Sequence, residues 1–300
     1  MAVIGTVDHI LEMGDDVVPI RAAHERSLGA ILVRAGRITP DGVNRIMQLQ
    51  REQGLRFGDA AIKLGLLTSA DIALALARQF DHPILVRGES KVSEEVVAAY
   101  APFTPQAEAV RALRAQLSLR WFDGDPLRNA MVILSAERGE GRSFIAANLA
   151  VVFSQLGTRT LLIDADLRNP RQHELFGLDN RSGLSAVLSS RGVADVAQHV
   201  PSLLSLSVLT AGMPPPNPME LLARPLFARL LIELRQRYDV ILIDSPASID
   251  QADAQILTVR AGAALIVVRR NRARLWKVRG VSESVAHSRA TLVGTVLNAF

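Results

Sequence analysis

The chain contains no cysteine. That excludes a disulfide framework, Cys-based zinc sites and a thiol nucleophile, and it suits a reducing compartment. Aromatic side chains are also scarce, with two tryptophans, two tyrosines and nine phenylalanines in 300 residues. So few rings weigh against the stacking platforms that bind single-stranded nucleic acid. Long apolar runs are missing as well. None approaches the roughly 20 residues of a membrane span, and the longest, such as 261–268, read as buried strands. The opening MAVIGTVDHILEMGDD has neither a basic start nor a long apolar core, so no signal peptide is expected. The net charge of +4 is spread along the chain and does not point to nucleic acid. His24, His82 and His173 show no metal-ligand spacing.

What is present begins with a repeat. Residues 27–50 align without gaps to 56–79, pairing Gly29 with Gly58, Gly36 with Gly65, Thr39 with Thr68 and Gln50 with Gln79. Each copy reads as a short helix, a glycine turn, a threonine N-cap and a second amphipathic helix. The period is of supersecondary size, so a small helical domain over 25–95 is expected after an extension, 1–24. Pro83, Gly88, Pro102 and Pro105 break any long helix and suggest a linker at 96–106.

From 107 to 300 the pattern alternates. Strands are expected at 131–135, 160–164, 239–244, 263–268 and 292–297, and helices at 105–121, 142–156, 218–235 and 275–288. Apolar strands alternating with helices predict an α/β fold with a mostly parallel sheet covered on both faces. Residues 171–207 carry short helices and loops that this pattern does not place.

Between the first strand and its helix lies Ala136-Glu-Arg-Gly139-Glu140-Gly141-Arg142-Ser143-Phe144. A glycine-rich loop in that context is what a phosphate-binding loop needs. Gly139 and Gly141 let backbone N–H groups approach phosphate without an intervening Cβ, and the helix adds its positive end. Ser143 places a hydroxyl for Mg²⁺. Ala136 replaces the motif's first glycine, and Arg142 stands where lysine is usual, keeping the charge but not the shape. Asp164 and Asp166 end one apolar strand on a common face, and Asp244 ends another. Three acids beside such a loop offer Mg²⁺ coordination and a base.

These motifs, in order, resemble the bacterial tyrosine kinases of polysaccharide export, within the MinD/ParA-like P-loop proteins. The likeness runs from SAERGEGRSFIAANLAVV and LLIDADLRNPRQHELFGL through AGMPPPNPMELL and YDVILIDSPA to GTVLN, covering about 106–300. It implies ATP bound by Gly139, Glu140, Gly141, Arg142, Ser143 and Phe144, with Asn298 near the adenine. Mg²⁺ would be held by Ser143, Asp164 and Asp244, and Arg142, Asp164 and Asp166 would be catalytic. Glu108, Arg111 and Arg114 match the family's oligomerisation motif, implying a homo-oligomeric ring. The implied function is regulation of exopolysaccharide polymerisation, chain length and export beside a membrane chain-length determinant protein, from the cytoplasmic side of the inner membrane. One departure stands out: the family usually ends in a tyrosine-rich tail, whereas this chain stops at Phe300 with only Tyr100 and Tyr238. That keeps two rivals in view, a ParA/MinD-like ATP switch without kinase activity and a nucleotide-sensing scaffold.

The N-terminal repeat resembles the N-terminal domain of type II secretion and pilus-assembly ATPases, which binds cyclic di-GMP in some relatives. Here Arg56-Phe57-Gly58 keeps that pattern while Ser27-Leu28-Gly29 does not, its arginine being displaced to Arg26 or lost. A docking module is the favoured expectation, with cyclic di-GMP as the alternative. The run Arg269-Arg-Asn-Arg272-Ala-Arg274 reads as a solvated loop and helix start, with contact to nucleotide or to an acidic partner tail as the alternative.

Overall fold

The computed structural model describes residues 27–79, 83–122, 125, 127–189, 197–201, 203, 205–248 and 252–299. The 1–24 extension and Arg26 lie outside them. The chain divides into two compact units, Met1–Asp81 and His82–Phe300.

Among its described residues the first unit has four helices: α1 (Leu28–Arg34), α2 (Pro40–Gln53), α3 (Phe57–Lys63) and α4 (Ser69–Gln79). Ser27 caps α1 through the Ala30 N–H, and Thr39 caps α2 through the Gly42 N–H. Thr68 accepts from the Asp71 N–H at α4. Gly36 and Gly65 both turn the chain with φ near +65°, a conformation that glycine adopts without cost. α1 packs with α4 and α2 with α3, so each repeat closes on the other. The equivalence reaches the packing. A Cβ at Gly29 would stand 3.0 Å from Val43 Cγ1, and one at Gly58, 3.2 Å from Ile72 Cγ2. Leu32, Ile46, Ala60, Ala61, Leu67 and Ala75 form the core.

The second unit begins earlier than the composition suggests. Residues 83–101, expected to end the helical domain and form a linker, pack on the larger unit instead. Leu85, Val92, Val96 and the short helix α5 (Val97–Tyr100) join its core. Buried Asn148 accepts from the Ala98 N–H and donates to the Glu95 carbonyl, and Gln155 donates to the carbonyls of Pro83 and Ala98. Pro83, one of the helix-breaking prolines, thus supplies a carbonyl to this packing rather than a flexible tether.

Helix α6 (Pro105–Leu117) ends in a π-helical turn, Ser118–Phe122, whose Trp121 donates its indole N–H to the Ala130 carbonyl. A seven-stranded sheet follows. Its strands are β1 (Ala130–Ser135), β2 (Thr160–Asp164), β3 (Gln198–His199), β4 (Leu206–Leu209), β5 (Val240–Asp244), β6 (Ala263–Arg269) and β7 (Thr291–Asn298), in the order β3-β4-β2-β5-β1-β6-β7. Only the β3–β4 pairing is antiparallel. β3 and β4 lie in the stretch the sequence pattern did not place. In β1, Met131 and Ile133 face one apolar cluster and Ala130, Val132 and Leu134 the other, as a strand covered on both sides requires.

Helix α7 (Arg142–Ser154) covers the first face. After α8 (Gln172–Phe176) and α9 (Leu184–Leu188), helices α10 (Pro218–Ala223), α11 (Pro225–Arg237), α12 (Ala252–Ala261) and α13 (Leu275–His287) cover the other. The single helix expected over 218–235 is two, α10 and α11, because Pro225 forces Arg224 into an extended conformation (ψ 145°). Among the described residues, no helix is long and apolar enough to cross a membrane.

Candidate functional site

The site sits where β1, β2 and β5 end, at the carboxyl edge of the sheet, the place where open α/β folds bind ligands. The chain leaves β1 through Ala136 and turns on Gly139 (φ +78°) and Gly141 (φ +91°) into α7. Within the loop the buried Glu140 carboxylate accepts from the Glu137 N–H at 2.8 Å. A Cβ on Gly141 would collide with the Asn298 carboxamide, which donates to the Glu140 carbonyl at 3.0 Å. Asn298 therefore braces the loop from behind, at the end of β7. A cavity of about 140 Å³ opens on the other side, lined by residues 138–144 with Asp166, Asn169 and Arg171.

The three acids are brought together, but differently employed. In the β2–β5 register Asp164 stands beside Asp244, and both are fully buried. Asp164 Oδ2 accepts from the Arg171 and Gln172 N–H groups at 2.9 Å each, and Oδ1 from the Asp166 N–H at 3.2 Å. Its carboxylate thus organises the 166–172 loop. Burial, with Asp244 alongside, holds its pKa well above the usual carboxylate value. Asp166 accepts from the Arg168 and Asn169 N–H groups through Oδ1, and burial raises its pKa too. Of the three, Asp166 lines the cavity.

Arg142 does not project freely into that cavity. Its buried guanidinium turns back onto the acids, with Nε 3.1 Å from Asp244 Oδ1, Nη2 3.3 Å from Asp166 Oδ2 and Nη1 2.7 Å from Ser135 Oγ. The planar fork satisfies three acceptors in three directions, which an ammonium could not copy. Gln172 completes the network by donating to Asp244 Oδ2 at 2.8 Å. Ser143 and Phe144 follow on α7, Phe144 packing partly on the core.

The residues fit a nucleotide's phosphates with Mg²⁺. The loop turns on two left-handed glycines that leave its backbone N–H groups uncovered by side chains, and the cavity beside it admits a phosphate chain. Among the described residues no group of three or more Asp, Glu or His side chains could hold a metal alone. That suits Mg²⁺, which commonly takes one or two carboxylates together with substrate phosphates.

Glu108, Arg111 and Arg114 share α6. Glu108 pairs with Arg111 at 2.5 Å, Arg111 also donates to the Pro102 carbonyl, and Arg114 donates to the Val152 carbonyl near the end of α7 at 2.9 Å. Glu108 remains exposed; Arg111 and Arg114 are half committed within the chain.

Comparison with known proteins now bears on this geometry. The ParA family model, described as NUBPL iron-transfer P-loop NTPase, matches residues 126–299. Tyrosine-protein kinase YwqD of Bacillus subtilis is 35% identical over 209 residues, covering 70% of this chain and 87% of YwqD. The chain belongs to the bacterial tyrosine-kinase family of ParA-like P-loop proteins. The kinase domain of the Escherichia coli tyrosine kinase ETK superposes with a TM-score of 0.66 at 31% identity, over 71% of this chain and 82% of that domain. EpsB of Ralstonia solanacearum is 35% identical over 70% of this chain, which spans only 28% of EpsB.

Within this P-loop kinase framework, several residues were missed from sequence. Arg269 donates to the Gly139 carbonyl at 2.9 Å, and the Arg272 guanidinium lies against Gly139. The basic run is therefore partly bound to the phosphate loop rather than merely solvated. Lys277 pairs with Glu137 of the same loop and holds its carboxyl below the usual range. Arg171 reaches the cavity while paired with Glu95 at 2.7 Å. No short motif marks these side chains; β6 and the sheet edge bring them to the loop.

Proposed function

We propose that the chain binds Mg-ATP on the 138–144 loop and transfers the terminal phosphoryl group to a tyrosine of another protein. It would thereby regulate exopolysaccharide polymerisation, chain length and export from the cytoplasmic side of the inner membrane. The observation that most supports this is the meeting of a loop bearing two left-handed glycines with three buried acids at adjacent strand ends. Backbone N–H groups of residues 139–143 and the start of α7 would hold the phosphates, joined by Arg138 and Arg171 from the cavity wall. Ser143 and Asp244 would hold Mg²⁺, whose contribution is to neutralise phosphate charge. Asp166 would orient the incoming tyrosine hydroxyl. Asp164 acts behind it as a positioning residue, since its oxygens already serve the backbone.

The acceptor lies outside the chain in this reading. Tyr100 is buried and donates to the Val92 carbonyl, and Tyr238 packs against the core after α11. The membrane chain-length determinant is the partner the family suggests, and Glu108 with Arg111 supports a homo-oligomer contact. For the helical unit a docking role is favoured over cyclic di-GMP. Arg56 is exposed, but its counterpart Ser27 is spent capping α1.

Isothermal titration tests the core of the reading. The full chain binds Mg-ATP, and Asp244→Asn weakens that binding at least tenfold while leaving the fold intact; absence of heat from the unmodified chain sinks the proposal. One observation favours a ParA/MinD-like switch instead: Arg142, at the cavity wall, is bonded to Asp244 and Asp166. Labelled ATP incubated with the chain and the cytosolic segment of the membrane partner separates the two. Label on a tyrosine supports the kinase, and hydrolysis without transfer supports the switch.

A further inference from the structure

Another cavity lies away from the phosphate loop. It measures about 430 Å³ and opens between α12 and α13, within the size range of ligand pockets. On α13, Trp276, Gly280 and Ser284 line it at i, i+4 and i+8, one stripe about 12 Å long. Gly280 leaves the middle of that stripe empty, since a Cβ there would meet nothing within 4 Å. Across α12 a second depression of about 350 Å³ shares Ala252 and Gln255 with the first and ends at Val259 and Arg260. The two form one groove, longer than a compact small molecule needs.

Its rim is apolar and basic. Leu275 is 83% exposed, Trp276 65% and Val259 53%, and exposed side chains of this size grouped around a groove mark a protein contact. Of the side chains lining the two depressions, Lys277 and Arg260 are cationic and none is acidic. Asp253, the acid of α12, is buried and paired with Arg168, and Glu283 of α13 is paired with Arg279. Inside, the Ser248 hydroxyl is buried without a hydrogen-bond partner. Lys277 Nζ lies 5.4 Å from the centre of the Trp276 ring and bonds Glu137 of the phosphate loop.

We propose that this groove is a docking site for an extended acidic segment of another protein, with apolar side chains filling the two depressions and a carboxylate taking Lys277 from Glu137. The charge of the rim selects an acidic occupant, and the continuity of the two depressions selects an extended one. Because Glu137 belongs to the phosphate loop, docking and the conformation of that loop are linked through Lys277. The docking proposal stands whether or not that loop binds nucleotide.

The test uses the full chain and a fluorescently labelled seven-residue peptide of alternating glutamate and phenylalanine, followed by anisotropy. Saturable binding is expected, and replacing glutamate by lysine in the peptide abolishes it. Gly280→Leu fills the groove and weakens binding at least tenfold, with an unchanged melting temperature as the folding control. Lys277→Gln weakens it at least threefold. Glu137→Gln strengthens it severalfold, because Lys277 loses its internal competitor. No saturable binding, equal binding of the lysine peptide, or indifference to Gly280→Leu overturns the proposal. An unaltered affinity in Glu137→Gln overturns the link to the phosphate loop.

Discussion

Replacing Arg142 by alanine removes the only side-chain cation bonded to Asp166 and Asp244 among the described residues. Both acids are buried, and Asp164 adds a third carboxylate beside them. Breaking a buried ion pair by deleting one partner costs about 3–5 kcal/mol. The adjoining 140 Å³ cavity admits some water, which places the expectation near the lower end, about 3 kcal/mol. With a urea dependence near 3 kcal/mol/M, fitting for a unit of this size, the midpoint should fall by about 1 M. The loss has a pH signature. Asp164 and Asp166 already have pKa values raised above 3.8 in the folded chain. Groups of that kind favour the folded state below their unfolded pKa and lose that contribution as pH rises through the folded value. Without the guanidinium the folded value of Asp166 rises further. The gap between variant and parent should therefore be widest near neutral pH and narrow as pH falls. Urea melts followed by the buried Trp121, at pH 7 and pH 5, measure both quantities. Arg142→Lys should recover part of the loss, since charge returns without the three-way fork. An alanine variant that melts with the parent at pH 7 would show that the guanidinium does not hold the acids, and the site geometry would have to be rebuilt.

Other outcomes follow from the same contacts. Gly141→Ala forces a side chain into φ +91° and against Asn298, so a loss of at least 1–2 kcal/mol is expected along with loss of Mg-ATP binding, read by thermal melts and calorimetry. Asn298→Ala removes the brace on the Glu140 carbonyl and should weaken Mg-ATP binding with a smaller stability loss of about 1 kcal/mol; equal nucleotide affinity in parent and variant would release Asn298 from the site. Arg111→Glu should prevent the proposed homo-oligomer from forming in light scattering with Mg-ATP while the chain stays folded. Arg114→Glu should lower the melting temperature below that of the parent, because the Val152 carbonyl loses its partner; melting equal to the parent would contradict that anchoring.

Much of this protein is written locally. The repeat was legible because its glycines, caps and apolar positions recur at one spacing, and the structure gives Gly29 and Gly58 the same kind of neighbour. The phosphate loop and the strand-end acids were legible because β1, β2 and β5 are short apolar runs ending at them. The break at Pro225 was also in the sequence, and was overlooked because the apolar period continues across it. Other features needed the tertiary structure. Whether Arg142 reaches a phosphate or turns onto Asp166 and Asp244 depends on strand register, which sets two carboxylates side by side across residues separated by about eighty positions. Whether residues 83–101 tether or pack depends on Asn148 of α7 and Gln155 at its C-terminal cap, whose amides meet carbonyls far away in the chain. The basic run after β6 came to the phosphate loop only because β6 lies beside β1 in the sheet. Periodicity, caps and loop chemistry are properties of neighbours in sequence, and one chain displays them. The direction of a long charged side chain is decided by the acceptors that folding brings within its reach.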